Sequence, residues 1–376
     1  MTLPAFTLGI EEEFQVVDPE TRELKSHVSQ MFAAGEAKMP EQIQRELHQS
    51  VIEIGSKICR DIRDVRREVT ETRTTLCRVA RDHGLRIGAA GTHPFTHWND
   101  VATTESERYS RLLDDLQVVA RANVIFGLHV HVGVADRETL IQVFNMARYF
   151  VPHIMALAVN SPFWCGQETG WKSYRTKVFE KFPRTGIPDA FQGFSEYTEL
   201  IQDLIRTNSI LDGKMIWWDI RPHWRYPTIE FRCCDVPMRV DETVALAALC
   251  QALVAKLYRL HQRNLSFRLH RRSLIQENKW RAARWGVDGK LIDLGKMAEV
   301  PTPQLIEEIL EFVDDVVDEL GVREEVNGIR NIVAMGPGAD RQLRVWKETE
   351  DLKQVVDYVL DETEHGLPLD GVDTLT

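Results

Sequence analysis

The sequence predicts an α+β protein built on an antiparallel sheet. Strand-like runs cluster before residue 235, and the last third of the chain is mostly helical. The clearest pair of strands is joined by a short polar link, not by the crossover helix of a βαβ unit. No internal repeat or low-complexity stretch interrupts this pattern.

The first element is a strand around Gly9-Ile10-Glu11-Glu12-Glu13-Phe14, between apolar Phe6, Leu8, Val16 and Val17. Successive strand side chains point to opposite faces, so Glu11 and Glu13 share one face, about 7 Å apart. Glu12 shares the other with Ile10, Phe14 and Val16, where it needs its own arginine or lysine partner. Asp18-Pro19-Glu20-Thr21 is turn chemistry. Residues 26–50 read as polar and partly helical, then Val51-Ile52-Glu53-Ile54-Gly55 as β-rich. Residues 60–83 carry Ile62, Val65, Val69, Leu76 and Val79 at helical spacing and stop at Gly84, a helix C-cap. Residues 85–90 read as a strand, 105–121 as a helix and 124–134 as a strand with His129 and His131 on one face. Asp136 reads as the cap of a helix running to about Val159, followed by a loop-rich stretch over 160–190 and a helix over 190–207. Residues 214–221 and 228–234 form a hairpin through the polar link 222–227. Asp241 reads as the cap of a strongly apolar helix to about His261. Residues 270–285, 302–320 and 342–364 read as further helices, with Gly336-Pro337-Gly338 as a loop.

Composition narrows the function classes. The 376 residues are 43% hydrophobic and 27% charged, with a net charge of −11, an ordinary globular composition that disfavours nucleic-acid binding. No stretch of eighteen residues is uniformly apolar, and the N-terminus lacks the charged and apolar regions of a secretory signal, so neither a membrane span nor secretion is expected. None of the six cysteines forms a C-x-x-C pair, which fits a reducing cytoplasm and excludes a structural zinc framework.

Several strands repeat one design: an apolar face and a face of acids, histidine or arginine. Glu11 and Glu13 lie on the first, Glu53 on the second, His129 and His131 on the 124–134 strand, Asp219 and Arg221 on one arm of the hairpin, Glu230 and Arg232 on the other. Singly, each pattern is as well explained by a solvated face or a cross-strand ion pair. Together, carboxylates with arginines fit a site for Mg²⁺ and phosphate, since hard divalent ions take oxygen ligands and arginine pairs with phosphoryl oxygens. No Walker A sequence, dinucleotide fingerprint or G-x-S-x-G elbow occurs, so any nucleotide is held through metals and side chains.

The Ile10-Glu11-x-Glu13 strand, the Glu46/Glu53 pair, Gly127-Leu128-His129 and Ile229-Glu230-Phe231-Arg232, in this order, resemble the glutamate–cysteine ligase family of the glutamine-synthetase-like superfamily. Closer still are its type 2 members, the YbdK-type carboxylate–amine ligases. Gly91-Thr92-His93-Pro94, Asn160-Ser161-Pro162 and Trp218-Asp219-Ile220-Arg221-Pro222 extend the likeness from about residue 6 to the C-terminal region. The resemblance implies one catalytic domain over 1–376, mostly helical from about 240, with an antiparallel sheet curved into a funnel and helices outside. It implies Glu11, His129 and Glu230 on one Mg²⁺ and Glu13, Glu46 and Glu53 on a second, with Mn²⁺ as a possible substitute. It further implies Arg232, Glu53 and Arg221 in catalysis, and Arg232 and Arg175 as contacts to ATP. The second histidine, His131, is without an assigned role, and a homodimer is expected by fold analogy.

The implied chemistry activates the γ-carboxylate of glutamate as an acyl phosphate and joins it to an amine such as cysteine. Such chemistry excludes water, and 160–190 and 336–340 are the expected covers. Trp280, Arg281 and Arg284 are candidates to line a nucleotide site, against the plainer alternative of a basic helix surface. The alternative function is a metal-dependent hydrolase of amide or γ-glutamyl bonds on the same scaffold.

Overall fold

The computed structural model describes residues 3–26 and 29–369. Its frame is a seven-stranded sheet of β1 (Leu8–Val17), β2 (Ile43–Arg45), β3 (Val51–Gly55), β4 (Arg86–Gly88), β5 (Gly127–Gly133), β6 (Ile220–Pro222) and β7 (Thr228–Asp235). The strands run in the order β6-β7-β5-β1-β3-β2, with β4 paired to the far end of β1, and every pairing is antiparallel. The α+β expectation therefore stands.

β1 alternates as its sequence dictates. Leu8, Ile10, Glu12 and Phe14 are buried, whereas Gly9, Glu11 and Glu13 are half-buried on the opposite face. The buried face packs under two long helices, α1 (Ile62–Asp82) and α2 (Val240–Gln262). Leu8, Ile10, Val130, Val132, Ile229 and Phe231 share one core with Val244, Leu249 and Leu253 of α2. Each fully buried aliphatic side chain there contributes about 1.5–3 kcal/mol. Long enough to cross a membrane and apolar over most of its length, α2 is 78% buried within the protein over its most apolar window.

Some boundaries differ from the sequence expectation, each for a local reason. Asp241 does not cap α2. Arg239 takes that place, its N–H bonded to Glu242 in the first turn, and Asp241 pairs with Arg66 outside. The helix after Asp136 ends at Ala147 and passes through a 3₁₀ turn, Arg148–Phe150, because Pro152 cannot continue the ladder of the next helix, Val151–Leu157. Gln117 and Glu350, both at positive φ, split the helices expected over 105–121 and 342–364. Elements that the sequence did not lead one to expect are the hairpin Lys290–Asp293 with Ala298–Pro301, the helix Arg323–Met335 and the short helix Tyr174–Phe179 inside the loop-rich stretch.

Candidate active site

Strand register assembles the polar face. Across the sheet, Arg221 stands opposite Glu230, Glu230 opposite His131, and His131 opposite Gly9. One row along, Glu11 stands opposite His129, and in the next Glu13 opposite Glu53.

The first group carries its own cations. Glu230 is fully buried and accepts from Arg221 Nε at 2.6 Å, from Arg221 Nη2 at 3.2 Å and from Arg232 Nη1. Burial alone would raise its pKa, but Arg221 and Arg232 hold it well below the usual carboxylate range. Glu11 Oε2 lies 2.8 Å from His129 Nδ1, and its Oε1 lies 3.3 Å from His131 Nε2. Burial opposes the Glu11 charge too, yet the two histidines lower its pKa. Burial beside Arg232 pushes His129 down to about 4. His131 is raised against burial by Glu230 and Glu11.

His131 Nδ1 lies 3.3 Å from the Thr228 hydroxyl, and its buried Nε2 has no aligned hydrogen-bond partner. A proton held on Nδ1 leaves the Nε2 lone pair directed at the acids, the arrangement a metal-binding histidine needs. Donor atoms of Glu11, His131 and Glu230 lie within 4.8 Å of one another and could hold a cation. His131, given no role by the sequence, thus joins this cluster, whereas His129 Nδ1 faces Glu11 Oε2 and lies 3.5 Å from Arg232 Nη1.

The second group lacks such compensation. Glu13 accepts the Gly127 N–H at 2.6 Å, but burial, with Glu46 adding to it and Arg175 opposing, pushes its carboxyl up to about 7. Glu53 is raised well above the usual range by burial and by Glu11, Glu46 and Glu13, and its carboxyl hydrogen-bonds Glu46. A divalent cation with oxygen ligands would relieve this repulsion. Glu13, Glu46, His129, Arg175, Arg232 and His48 line a narrow cleft of about 60 Å³. Through His48 and Val51 it adjoins a second cleft of about 300 Å³ lined by Phe32, Arg45 and Gln49. Arg175 Nε and Arg232 Nε are buried without hydrogen-bond partners.

The remaining expected residues divide. Glu12 has the partner its face demanded: Arg73 Nε donates to it at 2.9 Å in the core under the sheet. Arg221 is fully engaged, donating to Glu230 and to the Lys214 and Ile216 carbonyls, so it orients Glu230 and does not face the cleft as the sequence suggested. Asp219 leaves the site altogether. The strand breaks there, and its carboxylate pairs at 2.8 Å with buried Lys279, which also meets Glu180 at 3.2 Å. Trp280 is exposed and Arg281 pairs with Glu277 and Glu299, so that helix presents a surface, with Lys279 its inward residue. Sequence reasoning also passed over His48, whose nearness to Glu46 was the available signal.

Residues 7–358 match the sequence model of glutamate-cysteine ligase family 2. A protein of Solibacter usitatus named "Putative glutamate--cysteine ligase 2" is 58% identical over 365 residues, covering 97% of this chain and 95% of its own length. One of Roseiflexus castenholzii with the same name is 52% identical over 364 residues, 97% of this chain and 96% of its own. The crystal structure of glutamate–cysteine ligase from Francisella tularensis in complex with AMP superposes with a TM-score of 0.70, over 98% of this chain and 91% of that one, at 13% identity. At that identity the likeness speaks for the shared fold.

Proposed function

Because the chain belongs to glutamate–cysteine ligase family 2, we propose that it is an ATP-dependent carboxylate–amine ligase. It activates the γ-carboxylate of glutamate with ATP and joins it to an amine such as cysteine. One observation carries this reading: Glu13 and Glu46, crowded with Glu53 and in need of a cation, line the same cleft as Arg175 and Arg232, whose Nε–H groups have no partner. Metals with phosphates satisfy both.

Glu11, His131 and Glu230, with His129 adjoining, would hold one Mg²⁺, and Glu13, Glu46 and Glu53 a second; Mn²⁺ suits the same donors. The His131 Nε2 turned toward Glu11 and Glu230, and the raised Glu13 and Glu53 carboxyls, fit that assignment. When bound, such ions screen the triphosphate from the attacking carboxylate. Arg232, anchored through Nη1 to Glu230, directs its Nε–H to the transferring phosphoryl group, and Arg175 contacts the nucleotide phosphates. Arg221 acts through Glu230. The carboxylate oxygen attacks the γ-phosphorus as the bond to ADP breaks. The amine nitrogen then attacks the acyl carbon, phosphate leaves and an amide remains. The polar face must exclude water from the acyl phosphate. The six thiols are free, five of them buried, which supports a place in the reducing cytoplasm.

The test is ADP release with Mg²⁺, glutamate and a panel of amines. ADP formation that requires both glutamate and an amine supports the ligase. Cleavage of an amide or γ-glutamyl bond without ATP would establish the hydrolase instead.

A further inference from the structure

Asp235 is a buried carboxylate at the end of β7, on none of the metal clusters, yet four motifs of the sequence meet on it. Its Oδ2 accepts the Asn160 N–H at 2.7 Å and the Ser161 hydroxyl at 2.6 Å. Its Oδ1 accepts the Ser173 hydroxyl at 2.8 Å and lies 4.0 Å from Arg175 Nη1. Ser161 completes the link, its Oγ accepting the Arg175 N–H at 3.0 Å. Two glycines make room. A Cβ on Gly91 would lie 2.6 Å from Asp235 Cγ, and one on Gly127 would lie 2.2 Å from Arg175 Nη2. The Arg175 guanidinium therefore crosses the sheet over Gly127, the residue that donates its N–H to Glu13. It donates to the Arg232 carbonyl at 3.4 Å from both terminal nitrogens, and its Nε has no partner.

A charge buried to this degree, with three donors drawn from two separated segments, is an expensive way to tie a loop. Neutral acceptors would close the same turns. What the charge adds is an anchor for a second charge, the guanidinium in front of it. We propose that Asp235 is a positioning residue. It gathers the 160–161 and 173–175 segments beneath β7 and fixes the Arg175 guanidinium over Gly127, with Nε–H presented to a polyphosphate chain. The identity of that anion rests on the ligase reading above; the Asp235–Arg175 coupling does not.

The probe is inorganic tripolyphosphate with Mg²⁺, titrated calorimetrically into the full chain and into Asp235→Asn, Arg175→Gln and the double variant. We expect Asp235→Asn to weaken binding about tenfold and Arg175→Gln about as much. In the double variant the loss should be no greater than for Arg175→Gln alone. Should Asp235→Asn fail to fold, Ser161→Ala and Ser173→Ala replace it. Each is expected to weaken binding about threefold in the parent chain and not at all in the Arg175→Gln background. Multiplying losses would make Asp235 a structural residue only and overturn the proposal, as would unchanged binding in Asp235→Asn or no tripolyphosphate binding by the parent chain. The ADP-release assay, run in parallel, separates the two claims. Coupled tripolyphosphate binding without ADP release keeps Asp235 and sinks the ligase, and the reverse result does the opposite.

Discussion

Two groups of glutamates share the polar face of one sheet and are held in opposite electrostatic states. Glu230 and Glu11 lie among Arg221, Arg232 and two histidines, and their pKa values are depressed despite burial. Glu13, on the same strand as Glu11, and Glu53, on the neighbouring strand, crowd with Glu46, and theirs are raised although Arg175 and Arg232 oppose this at Glu13. Residue type, strand type and burial are alike in both. The difference is how much positive charge the chain itself supplies. In one group the chain's own arginines and histidines offset most of the carboxylate charge before any metal binds; in the other that is left to a cation from solution.

The contrast breaks most visibly at Arg232, which serves the compensated group. Arg232→Gln should lower ADP release about a thousandfold while Glu230 keeps Arg221 as its partner, measured in the coupled assay. Glu13→Gln should lower turnover about a hundredfold with the melting temperature held or raised, since it removes a repelled carboxyl. Glu12→Gln, one residue away, should do the reverse. It leaves Arg73 buried without its counter-charge and costs about 3 kcal/mol in chemical denaturation, while the folded enzyme turns over near the parent rate. Equal losses of turnover from the two would abolish the distinction between faces.

The two groups also predict different pH behaviour in metal-free protein. Glu13 is raised from an ordinary 4.5 to about 7. Above pH 4.5 the unfolded chain releases this proton while the folded chain keeps it until near pH 7. Its contribution is therefore full in acid and falls by about 3 kcal/mol as pH rises through that window. Glu230, depressed, contributes fully above 4.5 and loses stability only as pH falls below it, so it adds no slope there. Urea unfolding in chelator from pH 5 to 7.5 should show that decline, and Mg²⁺ should cancel it. A flat profile would mean that Glu13 needs no cation. The smallest effect is expected at His131, where Asn should weaken Mg²⁺ binding about tenfold without changing ATP affinity in the absence of metal, read by calorimetry.

Strand periodicity made much of the site legible. The two-residue repeat on β1 separated Glu11 and Glu13 from Glu12 and called for a basic partner that Arg73 supplies. It placed Glu53, His129, Glu230 and Arg232 on the same polar face. Register and strand ends lay beyond it. Whether His129 or His131 meets Glu230 depends on how β5 slides against β7, which no local pattern records. Asp219 looked like the companion of Arg221 until the break in its strand turned it to Lys279, sixty residues away in sequence. Asp235 was invisible for a like reason. Its donors lie on segments about 60 to 75 positions distant, brought together only by the fold.

The Glu12–Arg73 pair reaches further than the strand it sits on. Arg73 also donates to the Pro237 and Met238 carbonyls and to Thr243 at the start of α2, and Thr243 itself donates to Glu12. A slip of β1 by a single residue would turn Glu11 and Glu13 into the core and Glu12 out of it, exchanging the two sides of the sheet. Only one alignment lets the carboxylate meet that guanidinium. The pair works as a key cut on the reverse of the sheet, so the placing of the reactive side is decided by a contact that no substrate ever touches.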